Sequence, residues 1–581
     1  MTDDGRHLLV LGCSDTKLTT QEQLPAIQRY DGPMYRVLRC FLRDSLWPRS
    51  LSVAVLSAKY GLIGGLAGIE NYDQRMRPGR AAELAQASTA TLTRWATSHK
   101  NVSLALGQDY LKALDLDRIR EGGTKLDIFG GPIGTKLSQI KELLNRFEPS
   151  PRSPRPARAE RPLYFLPDWD DMLDAGFDFQ SDTFSKEKRA ERRMAHCSSV
   201  MRPAKICDGV LVSLAQHLGS KGVLRKFGPT DVGALAPLSM RKNFELSDEQ
   251  WVFGDCGAFS YVNEPEPTIT TEQALSLYQL HGFDFGASVD HIPLPVIETN
   301  IGKTILTNQQ QRHRIDLTRK NAKSFLDLHR DRKCSFIPVG TIQGIEPEDY
   351  AAELLDYVQM GYKHVAVGGL VPRTDSDIIE IAQAVHKAIK DGRGDVWVHL
   401  FGVFRPRIQA RLRELGVASF DSATYFRKAW LRSGQNYLST DGNWYAAIRV
   451  PMTSDPRTWA RMKDKQRSRE EAQILERMAL DALHEYGNGQ RDLNSTLSLV
   501  TGYDSMLARD SEEAEHLRCS YRRTLEARPW ESCDCQVCGQ LKIDVLIFRG
   551  YNRNKRRGSH NTLMLYRAVN QPPAISKPRV E

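Results

Sequence analysis

Short continuous apolar runs recur along the chain, and most are followed by stretches in which apolar residues return every third or fourth position. In the first quarter the runs are HLLVLGC (7–13), SVAVLSA (52–58), VSLALG (102–107) and KLDIFGG (125–131). Between them lie MYRVLRCFLRDSL, AAELAQASTATLTRWATS and GTKLSQIKELLNRF. Unbroken apolar runs suit strands buried on both faces, and the period of the intervening segments suits helices. This alternation predicts a small α/β domain with a mostly parallel sheet. The theme returns on a larger scale in WVFGDCGAF, FDFGASVDHI, CSFIPVGTIQG, HVAVGGL, VWVHLFGV and ASFDSATYF, interleaved with EDYAAELLDYVQM, SDIIEIAQAVHKAI and RIQARLRELG. So many β–α units in one stretch predict a (β/α)8 TIM barrel. Residues 457–530, rich in Glu, Arg, Leu and Ala, read as helical.

The two patterns are separated at 149–161, where four prolines and four arginines occur with few apolar residues. Such a segment is a stiff, extended linker. It divides the chain into an α/β domain at 1–148 and a larger unit at 162–581. A length of 581 residues agrees, being too great for one ordinary core. The opening MTDDGRHLLVLG lacks the basic start of a secretory leader, and no apolar stretch approaches a membrane span. A cytoplasmic protein without a membrane partner is expected.

Charge and cysteine content sharpen this picture. The formal net charge is +9, compatible with a polyanion partner without requiring one. Basic residues concentrate at 150–162, at 186–193 and in RGYNRNKRRG (549–558). The last stretch, with Arg549, Arg553, Lys555, Arg556 and Arg557 around Tyr551, is expected to contact phosphates. Three of the ten cysteines, Cys533, Cys535 and Cys538, crowd together ahead of His560. Three thiolates and an imidazole complete a closed tetrahedral shell, so one structural zinc per chain is expected in a subdomain at about 531–565. Cys256 and the remaining cysteines show no such spacing and read as buried thiols.

Polar residues fall where a barrel enzyme needs them. Asp255, Asp290, Gln343, the Gly368-Gly369 pair and Asp421 end successive apolar strands, whose C-termini would converge on one mouth. Singly each has the plain reading of a cap on the next helix. As an ordered set, GDCGAF (254–259), SVDHIP (288–293), TIQG (341–344), AVGGL (366–370), HLFGV (399–403) and SFDSATYFRKA (419–429) resemble the tRNA-guanine transglycosylase superfamily. RPLYFLPDWDDMLDAGFDF (161–179), ahead of the barrel, resembles its DpdA-type branch, which acts on DNA. The cysteine cluster with His560 resembles the family's zinc site.

The resemblance implies Asp421 as nucleophile and Asp255 as general acid/base. It assigns Asp290, Gln343 and the Gly368-Gly369-Leu370 loop to the base, with Phe259 and Phe401 as an aromatic sandwich. It implies exchange of guanine in DNA for a free 7-deazaguanine base, in a bacterial or phage-infected cell where the modified base shields DNA from restriction. Neither ATP nor a redox cofactor is expected, while a homodimer and a DNA-remodelling partner are both compatible. In the bacterial tRNA enzymes Gly-Gly-Leu is followed by a segment whose glutamate supports an aminomethyl ammonium group. Here Leu370-Val371-Pro372-Arg373 follows, with an arginine and no acid, which favours the neutral 7-cyano base. Three alternatives stay open: a tRNA enzyme, a non-catalytic nucleic-acid-binding accessory subunit, and a metal-dependent nuclease. In the N-terminal domain, LGCSDTK (11–17), RYDGPMYRVLR, LSAKYGLI and YDQRM resemble a small family of uncharacterised domains. Cys13, Ser14 and Lys17 follow a buried strand and open a helix in this reading, a suitable place for an anion; a plain turn is the alternative.

Overall fold

The computed structural model describes residues 6–570 except 20–22, 44–46, 49, 148–160, 169–170, 187–193, 219–229, 300–301, 393, 432–433 and 464–467. The expected linker, apart from Arg161, and most of the basic run at 186–193 lie outside the described residues.

The N-terminal sheet has five strands: β1 (His7–Gly12), β2 (Leu51–Ser57), β3 (Gly61–Gly64), β4 (Asn101–Ala105) and β5 (Lys125–Ile128). Their spatial order is β3-β2-β1-β4-β5. β1 pairs in parallel with β2 and β4, and β4 with β5. β3 is the exception, an antiparallel edge paired to β2. It escapes sequence reading because GLIG is short and glycine-rich. Every residue of β1 and β2 is buried, hence the unbroken apolar runs. Leu8 and Val10 pack into one core with Leu92 and Trp95 of α2 (Pro78–Ala96). Leu9 and Leu11 pack into another with Tyr35 and Leu38 of α1 (Pro33–Arg43) and Ile140 of α3 (Ile133–Leu144). Helices on both faces make this a doubly wound sheet.

The second unit is a closed barrel of eight parallel strands. In chain order they are β6 (Leu163–Asp168), β7 (Gly209–Ser213), β8 (Trp251–Asp255), β9 (Phe285–Ala287), β10 (Ile337–Ile342), β11 (His364–Val367), β12 (Trp397–Leu400) and β13 (Val417–Asp421). β13 closes the ring against β6. The helices α4 (Thr271–His281), α5 (Asn308–Asp331), α6 (Pro347–Met360) and α7 (Asp375–Asp391) return the chain from mouth to floor. Thr270, Thr307 and Thr374 each start one of them with a reciprocal capping box. Six barrel strands coincide with the apolar runs; β6 and β7 were not expected as strands. β7 is five residues long and leads only to a four-residue helix, Leu214–His217, so no β–α alternation marks it. Phe165, Phe253, Phe285, Ile337 and Val339 fill the interior as a packed plug beneath the mouth.

Beyond the barrel come α8 (Arg469–Gly487), α9 (Leu493–Asp504) and α10 (Ser511–Ala527), in the region read as helical, and a last long helix α11 (Gly550–Asn570). The N-terminal sheet rests on the barrel's flank. Leu66 N–H donates to the Ala234 carbonyl (2.8 Å) and the Trp95 indole to that of Thr230 (3.2 Å). Among the described residues, no helix is long and apolar enough to cross a membrane.

Candidate active site and metal centre

The barrel's topology carries Asp255, Asp290, Gln343, Gly368 and Asp421 to one end of the ring, each at or just beyond a strand C-terminus. Asp290 lies in the loop after β9, and its carboxylate is held on both oxygens. Oδ1 accepts the Cys256 thiol at 2.7 Å, and Oδ2 accepts the Gln343 amide at 2.6 Å. Tyr261 OH reaches the Cys256 sulfur and the Asp290 carbonyl, both at 3.0 Å. Cys256 is a buried thiol, as expected, and it also orients an acidic side chain, whereas Cys40 and Cys519 are exposed, contrary to that expectation. Burial pushes the Asp290 carboxyl up, and these two hydrogen bonds pull it partly back.

Asp255 stands beside this pair. Single ligand atoms of Asp255, Cys256 and Asp290 all lie within 4.8 Å of one another. Its carboxyl is pushed up to about 8, first by burial, then by the negative charge of Asp290 and, further off, that of Asp421. Asp255 therefore carries a proton at neutral pH. That Asp421 acts on it through space puts the two carboxylates in one electrostatic environment.

Asp421 closes β13 and is 6% exposed. Its Oδ1 accepts the Gly402 N–H at 2.8 Å and faces His399 Nε2 at 3.2 Å. The imidazole is fixed from behind: its Nδ1 lies 2.8 Å from Ser419 Oγ, and Ser419 Oγ accepts the Trp397 indole N–H at 2.9 Å. With Ser419 donating to Nδ1, the Nε2 proton points at Asp421. Gly402 has a φ of +73°, which glycine adopts without strain, and that turn aims its N–H inward. Among the described residues Oδ2 has no donor and is left free. His399, Ser419 and Trp397 were missed by sequence reading, because a histidine and a serine inside buried strands look like core residues.

The Gly368-Gly369 pair is required sterically. A Cβ at Gly368 would lie 2.2 Å from Gln343 Nε2, and one at Gly369 (φ +72°) 2.9 Å from Gln343 Oε1. The Gly368 amide is engaged by the Ile342 carbonyl (3.1 Å), so it cannot also face a base, correcting that part of the expectation. Leu370 turns its side chain into the core, leaving only its backbone toward the mouth. Gln343 is buried and its Oε1 has no partner, an acceptor left open beside Asp290. Arg373 donates to the carbonyls of Gly344 (3.1 Å) and Ile345 (2.7 Å), so it fastens one loop to the next and does not line the base slot. Phe259 follows β8 and is 49% exposed; Phe401 follows β12 and packs edge-on against His399 and Phe253.

A further group was not anticipated. Asp168, at the end of β6, is buried between His217 (2.9 Å) and His196 (3.6 Å). Burial alone would raise its carboxyl, yet the two imidazoles hold it well below the usual range.

The basic stretch of α11 departs from expectation. Arg549, Arg553, Arg556 and Arg557 are buried. Arg549 pairs with Asp182 and Glu476, and Arg553 with Asp182 and Asp544. Arg556 donates to the Asp174 and Ala175 carbonyls, and Arg557 to those of Ala429 and Val545. Lys555 Nζ donates to the Met172 carbonyl at 2.7 Å. A polyanion cannot reach side chains so engaged, and the phosphate contact expected here is withdrawn. Arginine suits this duty because its fork satisfies several buried acceptors at once.

Cys533, Cys535, Cys538 and His560 come together in the interior. The three sulfurs lie 3.6, 3.4 and 3.4 Å from His560 Nδ1. Those separations suit the edges of a tetrahedron around zinc, whose bonds to sulfur and nitrogen are about 2.3 and 2.0 Å. His560 Nε2 donates to the Leu438 carbonyl at 2.7 Å, which turns Nδ1 toward the three sulfurs as the available ligand atom. The four can hold one metal ion. Replacing Cys538 with serine is expected to reduce bound zinc from one per chain to a small fraction, by elemental analysis, and to lower the melting temperature.

No family model matches the sequence. A DNA-guanine transglycosylase of Salmonella montevideo is 34% identical over 404 residues, covering 69% of this chain and 95% of that protein. A tRNA-guanine(15) transglycosylase of Nanoarchaeum equitans is 28% identical over 173 residues, 29% of this chain and 38% of that protein. The chain belongs to the tRNA-guanine transglycosylase superfamily, in its DpdA-type branch.

Proposed function

We propose that the protein exchanges guanine in DNA for a free 7-deazaguanine base through a covalent intermediate on Asp421. The observation that carries this reading is the different setting of two carboxyl groups at the same end of the barrel. Asp255 holds a proton at neutral pH, whereas Asp421 is tied on one oxygen by two N–H groups with its other oxygen free. Those are the states that an acid and a nucleophile require.

Asp421 Oδ2 attacks the sugar C1′ as the bond from C1′ to the purine nitrogen breaks. The bonding electron pair leaves with guanine, and Asp255 supplies the proton that neutralises it. The incoming base enters the same slot and returns its N9 proton to Asp255. Its nitrogen then displaces the carboxylate from C1′. Asp290 would accept from the guanine edge and Gln343 would complete the reading. Phe259 and Phe401 would cover the two faces of the ring. In a duplex this requires the nucleotide to leave the stack.

DNA is preferred to tRNA as substrate because the DNA-acting relative matches across nearly its whole length and the tRNA-acting one across a short part. Mass spectrometry of nucleosides from cells expressing the protein tests this. A 7-deazaguanine deoxynucleoside in DNA is expected, and modification confined to tRNA would overturn the reading. For the incoming base we favour 7-cyano-7-deazaguanine, since Val371-Pro372-Arg373 after Leu370 offers no carboxylate to an ammonium group. Arg373 is engaged elsewhere, so that argument rests on the missing acid alone. Equal concentrations of the cyano and aminomethyl bases should yield mainly the cyano product.

A further inference from the structure

The N-terminal sheet has a feature that base exchange leaves unused. From β1 the chain crosses to β2 on one side, while β4, on the other side of β1, leads outward to β5. The strand order thus reverses between β1 and β4. In open parallel sheets the crevice beyond the strand C-termini at such a reversal is where ligands bind.

This crevice is loaded with polar groups from separate segments. Cys13, after β1, and Tyr110, after β4, meet across it, with Sγ 2.9 Å from the phenol oxygen. Beyond β2, Ser57 Oγ lies 2.8 Å from Tyr72 OH and accepts the backbone N–H groups of Lys59 (3.2 Å) and Tyr60 (3.1 Å). Tyr72 OH lies 2.6 Å from Tyr30 OH. Two ammonium groups close on the same Tyr72 ring: Lys17 Nζ at 4.6 Å and Lys59 Nζ at 5.6 Å from its centre. Cys13, Ser14 and Lys17 do not open a helix, contrary to expectation. They form a loop fixed by a bridge between Lys17 and Tyr30.

Among the described residues neither ammonium group has a carboxylate at hydrogen-bond distance. Lys17 Nζ donates to the Asp15 carbonyl at 3.3 Å. Lys59 has Glu70 only at 3.9 Å, and both partners are well exposed. Aromatic faces seat cations without neutralising them. Two like charges gathered on one ring, over a preformed loop, repel each other and are relieved by a doubly charged anion between them.

We propose that this crevice is a second ligand site, separate from the barrel mouth, and that it takes the phosphate group of a nucleotide. Lys17 and Lys59 contact the phosphate oxygens, and the Tyr72 ring holds the two ammonium groups in place. The phosphate could belong to a free nucleotide or to the backbone of a nucleic acid, and the test separates these sources.

Isothermal titration of the full-length protein, saturated with free guanine to fill the barrel, would use dGMP in one arm and a single-stranded oligonucleotide in the other. Binding of dGMP, weakened at least tenfold in Lys17→Ala/Lys59→Ala and largely retained in Lys17→Arg/Lys59→Arg, identifies a free nucleotide. If only the oligonucleotide binds, with the same loss and a shallower salt dependence in the alanine double variant, the ligand is a strand backbone. Absence of both in the wild type, or binding that the alanine pair leaves unchanged, overturns the proposal. An unaltered melting temperature in each variant shows that the fold is intact. The outcome does not depend on whether the barrel exchanges bases.

Discussion

Asp421→Ala is expected to abolish base exchange, with kcat reduced by about 10^4-fold or more, or about 5 kcal/mol of transition-state stabilisation. The geometry makes the reason specific. Only one oxygen of Asp421 is tied down, by Gly402 and His399, so the side chain is aimed and the reactive oxygen stays open. Removing it leaves C1′ without a nucleophile. Wild-type enzyme incubated with a guanine-containing oligonucleotide, without free base, should give a species that survives denaturing electrophoresis. The variant should give none. Because the lost contacts are two N–H donors at the mouth, the variant should still fold, and a melting curve near that of the wild type would show it. A variant that retains exchange would end the assignment.

The second large effect concerns Asp255 and pH. Its carboxyl titrates near 8 in the folded chain, against 3.8 when unperturbed. Between those values the folded state binds the extra proton, so stability contributed by the neutral group is fully present below about 4 and is lost as pH rises through about 8. The gap corresponds to something on the order of 5 kcal/mol. Asp255→Asn cannot ionise and escapes that loss. It should melt near the wild type at pH 5 and clearly above it at pH 9. Exchange by the wild type should fall as pH rises through about 8, because the proton for the departing purine is then gone. The asparagine variant should be inactive throughout. If the wild type and the variant lose stability in parallel between pH 5 and 9, Asp255 is not the neutral acid described above.

Much of the architecture was legible because buried parallel strands must be apolar on both faces, and such runs stand out. The strands bearing Asp255 and Asp421 were visible for that reason, as was the Cys533, Cys535, Cys538 and His560 cluster, whose spacing serves no other evident purpose. What escaped was short or depended on partners distant in sequence. β7 has five residues and no long helix behind it. His399 is a polar residue inside a buried strand, and only the fold shows that it meets Asp421. The basic stretch of α11 misled for a related reason. Sequence reports charge, but whether an arginine faces solvent or a buried carbonyl is decided by elements hundreds of residues away, here Asp174 and Asp182.

Those arginines also determine when the enzyme can come into being. α11 grips the segment after β6 through Arg556 and Asp174, packs on the helix that follows β13, and reaches Asp208 through Tyr566. It therefore straddles the seam at which the first and last barrel strands meet. During translation that seam has no clasp until Gly550–Asn570 has been made. A chain truncated before Gly550 would keep every residue proposed for chemistry and lose the contacts that span the seam between the first and last barrel strands.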